Sequence, residues 1–238
     1  MYLLLIVKKN GCLFDKVNRK CYYDETNHGF GYHNEAEYNS SEYDSYKDNN
    51  NHVYRHINYL ESTGTQYIDT GFKPNQDTRI QTHIYRNKYV KSFQFPFGAR
   101  TSAGSNEFEM VFYQSGGGWR DDYGNTDNRG FLGYTEATGD FYINKNKSVT
   151  TINDISIVHN LSSFQSDYNL IIFGTNYNIG FQSGESDLIK LYSFRVYDNG
   201  DVVRDYIPVI DSTERPCLFD KVSKECYYNQ GTGEFLYG

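Results

Sequence analysis

The chain has 238 residues and a formal net charge of −7 at pH 7. This length suits one large β domain with extensions, or two small domains. The acidic balance argues against a nucleic-acid partner, because affinity for phosphate backbones comes largely from clustered Lys and Arg. The 24 Tyr and 16 Phe, in an otherwise polar chain, favour antiparallel sheets with solvated outer faces.

The first residues, MYLLLIVKKNGC, do not have the pattern of an export signal. The apolar run covers only Tyr2–Val7, no basic region precedes it, and Lys9-Asn10-Gly11 does not fit a cleavage site. A bilayer span needs about 20 apolar residues, and no stretch approaches that length. We expect a soluble protein without a signal peptide and without membrane insertion.

A motif near the start is repeated at the end of the chain. Cys12–Val17 (CLFDKV) recurs as Cys217–Val222, and Cys21-Tyr22-Tyr23 recurs as Cys226-Tyr227-Tyr228 at the same offset. Each copy predicts a small β-hairpin. Two interpretations remain open: the chain begins inside a tandem array of similar domains, or the first hairpin is a separate docking element.

Three domains are predicted from composition. Residues 1–32 form the N-terminal hairpin, and residues 57–238 form a β-sandwich that ends in hairpin 216–238. Between them, residues 33–56 are acidic, rich in Asn and Ser, and almost free of aliphatic residues. Such a segment buries too little apolar surface to offset its ordering entropy, so we expect a flexible linker.

The main body consists of short strand candidates separated by turn residues. This spacing without helices predicts an all-β antiparallel sandwich or barrel. The candidates are Asn58–Glu61, Gln66–Asp69, Thr78–Tyr85, Phe93–Ala99, Glu107–Tyr113, Trp119–Tyr123, Phe131–Tyr134, Asp140–Ile143, Val149–Ile152, Ile155–His159 and Asn169–Phe173. Within Thr78–Tyr85, alternation predicts one face with Thr78, Ile80, Thr82 and Ile84 and the opposite face with Arg79, Gln81, His83 and Tyr85.

The clearest hairpin signal is Ile189–Pro208. Alternation predicts Tyr192, Phe194 and Val196 on one face and Ser193, Arg195 and Tyr197 on the other. Asp198-Asn199-Gly200 supplies the turn. A strict two-residue loop would place Arg195 opposite Arg204, which favours a three-residue loop ending at Gly200. Pro208 is expected to stop the second strand.

Several motifs in this order resemble a laminin-G-like, concanavalin A-like jelly-roll domain. They are YLESTGTQYIDTGFKP at 59–74, FGAR at 97–100, DYGN at 122–125, NLIIFG at 169–174 and LYSFRVYDNGDVVRDYIP at 191–208. The resemblance covers residues 57–238 and is to the version found in bacteriophage structural proteins and gut bacterial surface proteins. It implies two curved antiparallel sheets and a role in adhesion, glycan binding or structural decoration. Fold alone does not fix function.

A catalytic reading is not favoured by the motifs. Glycosidases on this fold need two carboxylates around the scissile bond, and Glu107-Phe108-Glu109 is the nearest match. It lacks the further acidic residues of the family motif, and it equally describes two solvent-facing side chains beside an inward Phe108. We expect no catalytic residues.

The four cysteines form two C-x8-C pairs. Free thiols, a disulfide within each hairpin, and zinc bound between the hairpins are all compatible with the spacing.

The candidate ligand site is the segment around the single Trp, which follows a Gly-rich loop. Exposed aromatic rings can stack on sugars while nearby polar side chains bind hydroxyls. The alternative is that Trp119 is the first inward residue of a strand. The candidates are Trp119, Arg120, Asp122, Tyr123, Asn125 and Tyr177. Jelly-roll lectins of related shape often bind calcium in loops, and for that ion the candidates are Asp121, Asp122 and Asp127.

The predicted function is a non-enzymatic adhesion or glycan-binding module, carried by a phage virion or a bacterial surface assembly. The alternative is a purely structural virion or fibre protein that mediates subunit contacts, and a minor alternative is a carbohydrate-active enzyme. The expected partners are a surface glycan or protein subunits of a larger assembly, including copies of this chain as a homo-oligomer.

Overall fold

The structure is a computed structural model, and it describes residues 6–9, 12–15, 20–24, 29–32, 45–87, 93–100, 104–113, 118–132, 138–177, 180–182 and 189–238. The chain divides into two compact units, Met1–Ser45 and Tyr46–Gly238. In the part of the chain that the structure describes, no helix has the length and apolar character to cross a membrane.

The N-terminal unit contains one antiparallel sheet in chain order: β1 (Ile6–Lys9), β2 (Cys12–Asp15), β3 (Lys20–Asp24) and β4 (Gly29–Tyr32). Within the sheet, Phe14 is paired with Cys21 and Leu13 with Tyr22.

The second unit begins with four short strands: β5 (Ser45–Lys47), β6 (Val53–His56), β7 (Leu60–Ser62) and β8 (Ile68–Asp69). The middle of the chain forms β9 (Arg79–Arg86), β10 (Gln94–Ala99), β11 (Ser105–Tyr113), β12 (Gly118–Asn125), β13 (Arg129–Leu132), β14 (Gly139–Asn146), β15 (Val149–Ile152) and β16 (Ile155–Val158). The last part forms β17 (Ile171–Ile172), β18 (Thr175–Tyr177), β19 (Gly180–Gln182), β20 (Ile189–Asp198), β21 (Asp201–Ile210), β22 (Pro216–Asp220), β23 (Glu225–Tyr228) and β24 (Leu236–Tyr237). A single 3-10 turn, Thr126–Asn128, joins β12 to β13.

Two large antiparallel sheets make up most of the described part of this unit, and β18 and β19 form a separate two-stranded sheet. The smaller sheet has the order β13-β12-β11-β10-β17-β8, and the larger sheet follows β16-β15-β14-β9-β20-β21-β22-β23. Strand β7 pairs with β20 and β24, while β6 pairs with β21 and β5. The predicted all-β fold with two antiparallel sheets is therefore confirmed.

The core lies between the inner faces of the two sheets. Phe97 of the smaller sheet meets Phe194 of the larger sheet edge to face, with 5.4 Å between ring centroids, and Phe112 meets Phe141 at 5.5 Å. Strand β9 alternates strictly, with Ile80, Thr82, Ile84 and Arg86 buried. This contact between aromatic faces is the packing expected of a β-sandwich.

A second, smaller core covers the outer face of β21 and β22. Its buried residues are Tyr54, Ile207, Val209, Cys217 and Phe219. The β5–β6 hairpin supplies the cover, because the rings of Tyr46 and Tyr54 pack on Phe219 at 5.4 and 5.6 Å. The prediction of a flexible linker is thus wrong for residues 45–56, where two tyrosines provide the apolar surface that the tract otherwise lacks. Residues 33–44 lie outside the described part.

The β20–β21 hairpin differs from its prediction at the turn. Asp198 pairs with Asp201, so Asn199-Gly200 is a two-residue loop, with φ of 50° and 96°. The register then shifts between Val196 and Tyr197, and Arg195 lies opposite Asp205. The like-charge clash is avoided, as expected, but by a bulge inside the strand and not by a longer loop.

Two other expectations for this hairpin are wrong. Strand β21 continues through Pro208, which lies between the part of β21 that pairs with β20 and the part that pairs with β6. At such a junction the missing N–H of proline costs no ladder hydrogen bond. Tyr192 does not share the inner face with Phe194, because a second irregularity in β20, between Leu191 and Ser193, shifts the register against β9.

Candidate functional site

The predicted ligand residues on β12 are divided between the two faces of the smaller sheet. Trp119, Asp121 and Tyr123 face the core, while Arg120 and Asp122 face outward, as the two-residue period of a strand requires. The structure therefore does not bring these side chains together into one ligand site.

Trp119 is fully buried. Its ring centroid lies 3.4 Å from that of Phe112 and 5.2 Å from that of Phe141. Tyr123 is also buried, and its hydroxyl donates to the Gln76 carbonyl at 2.9 Å. Both rings belong to the core, so neither offers a face to a sugar.

The remaining predicted residues lie apart from these. Asn125 is exposed, and its side chain accepts a hydrogen bond from the Asp127 backbone N–H at 3.1 Å in the 3-10 turn. Tyr177 belongs to β18, but its side chain is outside the described part. The calcium candidates Asp121 and Asp122 point to opposite faces of the sheet. Among the described residues, no group of three or more His, Cys, Asp or Glu is arranged to hold a metal.

Asp121 belongs to an ion group inside the sandwich. Lys145 Nζ lies 2.6 Å from one carboxylate oxygen, and His159 Nε2 lies 2.7 Å from the other. Burial works to raise the pKa of Asp121, but Lys145 and His159 outweigh it and hold the pKa below its usual range. Lys145 is itself fully buried, with its nitrogen 4.6 Å from the Phe108 ring centroid. This group balances its charges within the core.

The outer face of β11–β13 carries a second group, the arginine–carboxylate cluster. Its members are Arg100, Glu107, Glu109, Arg120, Asp122 and Arg129. Phe108 faces inward as predicted, but Glu107 and Glu109 have fully buried side chains and do not face solvent.

The carboxyl groups of this cluster are bridged by its arginines. Arg100 bridges Glu107 and Glu109 at 3.1 and 3.0 Å, and Arg120 bridges Glu109 and Asp122 at 2.5 and 3.1 Å. Burial, and then the Asp122 carboxylate, raises the pKa of Glu109 to about 8 even though Arg100 and Arg120 oppose the shift. Each of the three carboxyl groups contacts two of the three guanidinium groups, so the contacts form a closed network within the protein.

A different surface has the geometry of an open site, namely the outer face of the larger sheet across β14, β9 and β20. Here the His83 ring is stacked between two tyrosines. Its centroid lies 4.2 Å from that of Tyr142 and 4.4 Å from that of Tyr192, and both ring pairs are tilted by only 16°. His83 Nε2 lies 2.7 Å from the Asp140 carboxylate. We call Tyr142, His83 and Tyr192 the aromatic stack.

The irregularity in β20 completes the aromatic stack. Leu191 pairs with Ile84, whereas Ser193 pairs with His83, so Tyr192 is the extra residue on β20. A bulge re-aims one side chain and leaves the ladder on either side intact. The Tyr192 ring reaches His83 on one side, and its centroid lies 6.0 Å from that of Tyr59.

A polar cleft of about 510 Å³ lies beside the stack. Its lining includes Gln81, His83, Tyr142, Asn144, Asn153, Arg195 and Asp205. Arg195 Nη2 donates to Asp205 at 2.8 Å, and Lys221 Nζ lies 3.0 Å from the same carboxylate. Tyr142 remains 59% exposed.

The sequence contained part of this site. Alternation along Thr78–Tyr85 separates Gln81 and His83 from the inward Ile80 and Ile84, and that separation is confirmed. The pairing of β9 with both β14 and β20, and the bulge at Tyr192, involve distant parts of the chain and have no local signal. Comparison with protein-family models, with curated proteins and with solved structures found no match.

Proposed function

We propose that this protein is a non-enzymatic adhesion or glycan-binding module that holds a neutral glycan in the cleft beside the aromatic stack. The observation that carries the proposal is Tyr142, an aromatic ring fixed by stacking on His83 yet 59% exposed beside a polar cleft. Sugar rings present C–H faces that pack on such a ring, and a ring already fixed in place loses little entropy on binding.

The polar lining suits sugar hydroxyls. Gln81, Asn144 and Asn153 line the cleft. Each amide oxygen already accepts one hydrogen bond within the protein, from the Tyr197 hydroxyl, Arg79 Nε and the Tyr142 backbone N–H respectively, and an amide oxygen can accept a second. Hydroxyl groups also donate and accept, so such side chains can fix the orientation of a bound sugar.

The charges around the cleft favour a neutral ligand. The Asp140 carboxylate pairs with His83, and the Asp205 carboxylate pairs with Arg195 and Lys221. Because the two carboxylates together balance the two charges of Arg195 and Lys221, a uronic acid or other anionic sugar gains little net attraction and loses hydration. We therefore expect neutral hexose polymers to bind more tightly than uronic-acid polymers.

The pairing of carboxylates also favours binding over hydrolysis. Glycoside cleavage needs one carboxyl group as acid and a second as nucleophile or base, on either side of the bond. Asp205 contacts two cationic side chains. Glu107 and Glu109 are buried in the arginine–carboxylate cluster on the other sheet.

We further propose that the sandwich has the laminin-G-like jelly-roll topology and that it belongs to a phage particle or a bacterial surface assembly. The ordered motifs of residues 57–238 and the two antiparallel sheets support this proposal. A binding site on an exposed sheet face stays accessible to a ligand when the module is attached to a larger particle.

A second candidate function is a structural subunit of a virion or fibre. The observation that favours it is the register of the repeated hairpin. Phe14 pairs with Cys21 in the first copy, and Phe219 pairs with Cys226 in the second. A hairpin that occurs twice with the same strand register is typical of proteins built as arrays of similar elements.

The test is titration calorimetry of the full chain against neutral and uronic-acid polysaccharides, with wild type and Tyr142→Ala. We expect saturable binding of a neutral polymer and at least a tenfold loss for the variant. The matched control is Tyr237→Ala, because Tyr237 is 40% exposed on β24. Equal loss in both variants, or no binding by wild type, would reject the cleft as a glycan site.

Light scattering of the same samples separates the two candidate functions. Concentration-independent oligomers with no glycan binding would support the structural candidate, whereas a monomer that binds a neutral polymer would support the glycan-binding one.

A further inference from the structure

The C-terminal hairpin brings two cysteines into contact. In β22 and β23, Cys217 pairs with Tyr228 and Phe219 pairs with Cys226. Cys217 and Cys226 are therefore diagonal neighbours across the two strands, and their Sγ atoms lie 3.0 Å apart. Both are free thiols in this structure. Of the alternatives left open by the spacing, this contact favours a bond between the two sulfurs.

The surroundings give the two thiols different roles. Cys217 is buried in the smaller core beneath the β5–β6 hairpin, whereas Cys226 is only half-buried. The contact with Cys226, and then burial, raises the pKa of the Cys217 thiol. An oxidant from solvent therefore meets Cys226 first, and Cys217 lies where it can complete the reaction.

The N-terminal sheet repeats the strand register. Strands β2 and β3 pair Phe14 with Cys21, which is the register of Phe219 with Cys226. The offset of the sequence repeat matches Cys12 to Cys217. The shared register and offset predict the same diagonal relation between Cys12 and Cys21.

We propose that Cys217 and Cys226 form an oxidation site, a dithiol that a small-molecule disulfide such as oxidised glutathione converts to a cross-strand disulfide, and that Cys12 and Cys21 form a second site of the same kind. The Cys226 thiolate attacks one sulfur of the oxidant and releases one glutathione thiolate. The Cys217 sulfur, after losing its proton, attacks the Cys226 sulfur and releases the second glutathione.

The reaction balances without any other reagent. Two protein thiols and one oxidised glutathione give one protein disulfide and two glutathione thiols. The two protons lost by the cysteines pass to the two released thiolates. The protein sulfurs are oxidised, and the disulfide of glutathione is reduced by the same two electrons.

The bond would fasten β22 to β23 beneath Tyr54. A cross-link removes conformations from the unfolded chain, so the oxidised form is expected to melt at a higher temperature than the reduced form. The disulfide would then keep β22 and β23 paired around Phe219 even when the β5–β6 hairpin separates from that residue.

Peptide mapping tests the pairing. The native full chain is incubated with oxidised glutathione, remaining thiols are alkylated, and trypsin is added without reduction. Cleavage after Lys221 and Lys224 separates residues 205–221 from 225–238, so these two peptides stay joined only through a disulfide. The second pair is residues 10–16 with 21–47. We expect both linked pairs. Recovery of all four peptides alkylated, or of Cys217 linked to Cys12 or Cys21, would overturn the proposal.

Two variants and one comparison test whether the disulfide forms because the fold holds Cys217 and Cys226 in contact, and not only because each thiol is reactive. Cys217→Ser should stop at a glutathione adduct on Cys226, and Cys226→Ser should leave Cys217 unmodified. Should either variant fail to fold, the wild-type chain is equilibrated in glutathione buffers with and without denaturant. We expect the disulfide to be favoured in the native chain by about tenfold or more. Equal closure in both conditions would contradict the proposal.

Discussion

Arg120 on β12 bridges two carboxylates, Glu109 on β11 and Asp122 on its own strand, at 2.5 and 3.1 Å. All three side chains are buried on the outer face of the smaller sheet. Burial, and then the neighbouring Asp122 carboxylate, make Glu109 hold its proton more strongly than an exposed glutamate does, although Arg100 and Arg120 oppose this effect.

Stability should fall as the pH rises from about 4.5 to about 8 because of Glu109. Its pKa is about 8 in the folded chain, against an ordinary value of 4.5. Between these values the native state keeps a proton that the unfolded chain has lost. The contribution of Glu109 is complete below pH 4.5 and is lost as the pH rises through 8, by about 3 kcal/mol between pH 5 and pH 8.

Urea unfolding at pH 5 and pH 8 measures this effect. Glu109→Gln cannot ionise, so its free energy of unfolding should decline much less over this range than that of wild type. Glu214→Gln is the control, because the Glu214 side chain is 66% exposed and should leave the decline unchanged. Parallel declines in wild type and Glu109→Gln would show that Glu109 is ionised at both pH values.

The ion group inside the sandwich should be costly to break. Lys145→Met removes the fully buried ammonium group that contacts Asp121 at 2.6 Å, and the loss is expected to be about 3–5 kcal/mol, since the buried Asp121 carboxylate loses its lysine partner and keeps His159 alone. Lys147→Met is the matched control, because its pair with Asp77 is 52% exposed on the lysine side and should change stability by less than about 1 kcal/mol. Chemical denaturation measures the free energy of unfolding of both variants. Similar losses would contradict the burial of the Lys145–Asp121 pair away from water.

The β5–β6 hairpin should contribute measurably to stability. Tyr54 is 6% exposed and packs on Phe219, whereas its neighbour Val53 is 50% exposed. Tyr54→Ala is expected to cost about 2–3 kcal/mol through the cavity left on Phe219. Val53→Ala should cost less than about 0.5 kcal/mol. Thermal unfolding measures the stability of the two variants. If Tyr54→Ala leaves stability unchanged, residues 45–56 do not stabilise the fold and behave as a linker.

Features that depend on one strand can be predicted from the sequence, whereas features that depend on contacts between distant strands cannot. Strict alternation along β9 predicted which side chains enter the core, because that pattern is set within one strand. Trp119 was ambiguous, since a ring at the start of a strand can point either way. Its position is decided by Phe112 and Phe141, which come from other strands.

The candidate site was largely hidden for the same reason. Tyr192 turns outward because of a bulge, and a bulge adds one residue without changing composition or local pattern. The burial of Glu107 and Glu109 depends on arginines from the end of β10 and from β12 and β13, which only the sheet order brings together. The average composition of a tract rich in Asn and Ser gives no sign that Tyr54 is buried.

The turn of the β20–β21 hairpin leads to the last prediction. Asn199 and Gly200 both have positive φ, 50° and 96°, as a type I′ turn requires. A Cβ on Gly200 would meet no atom within 4 Å, so Gly200→Ala acts only through backbone strain and should cost about 1 kcal/mol. Asn199→Gly keeps the turn and should shift stability by less than about 0.5 kcal/mol. Urea midpoints of the two variants give the comparison. An unchanged midpoint for Gly200→Ala would mean that the loop is longer than two residues, and then the bulge would not be what places Arg195 opposite Asp205.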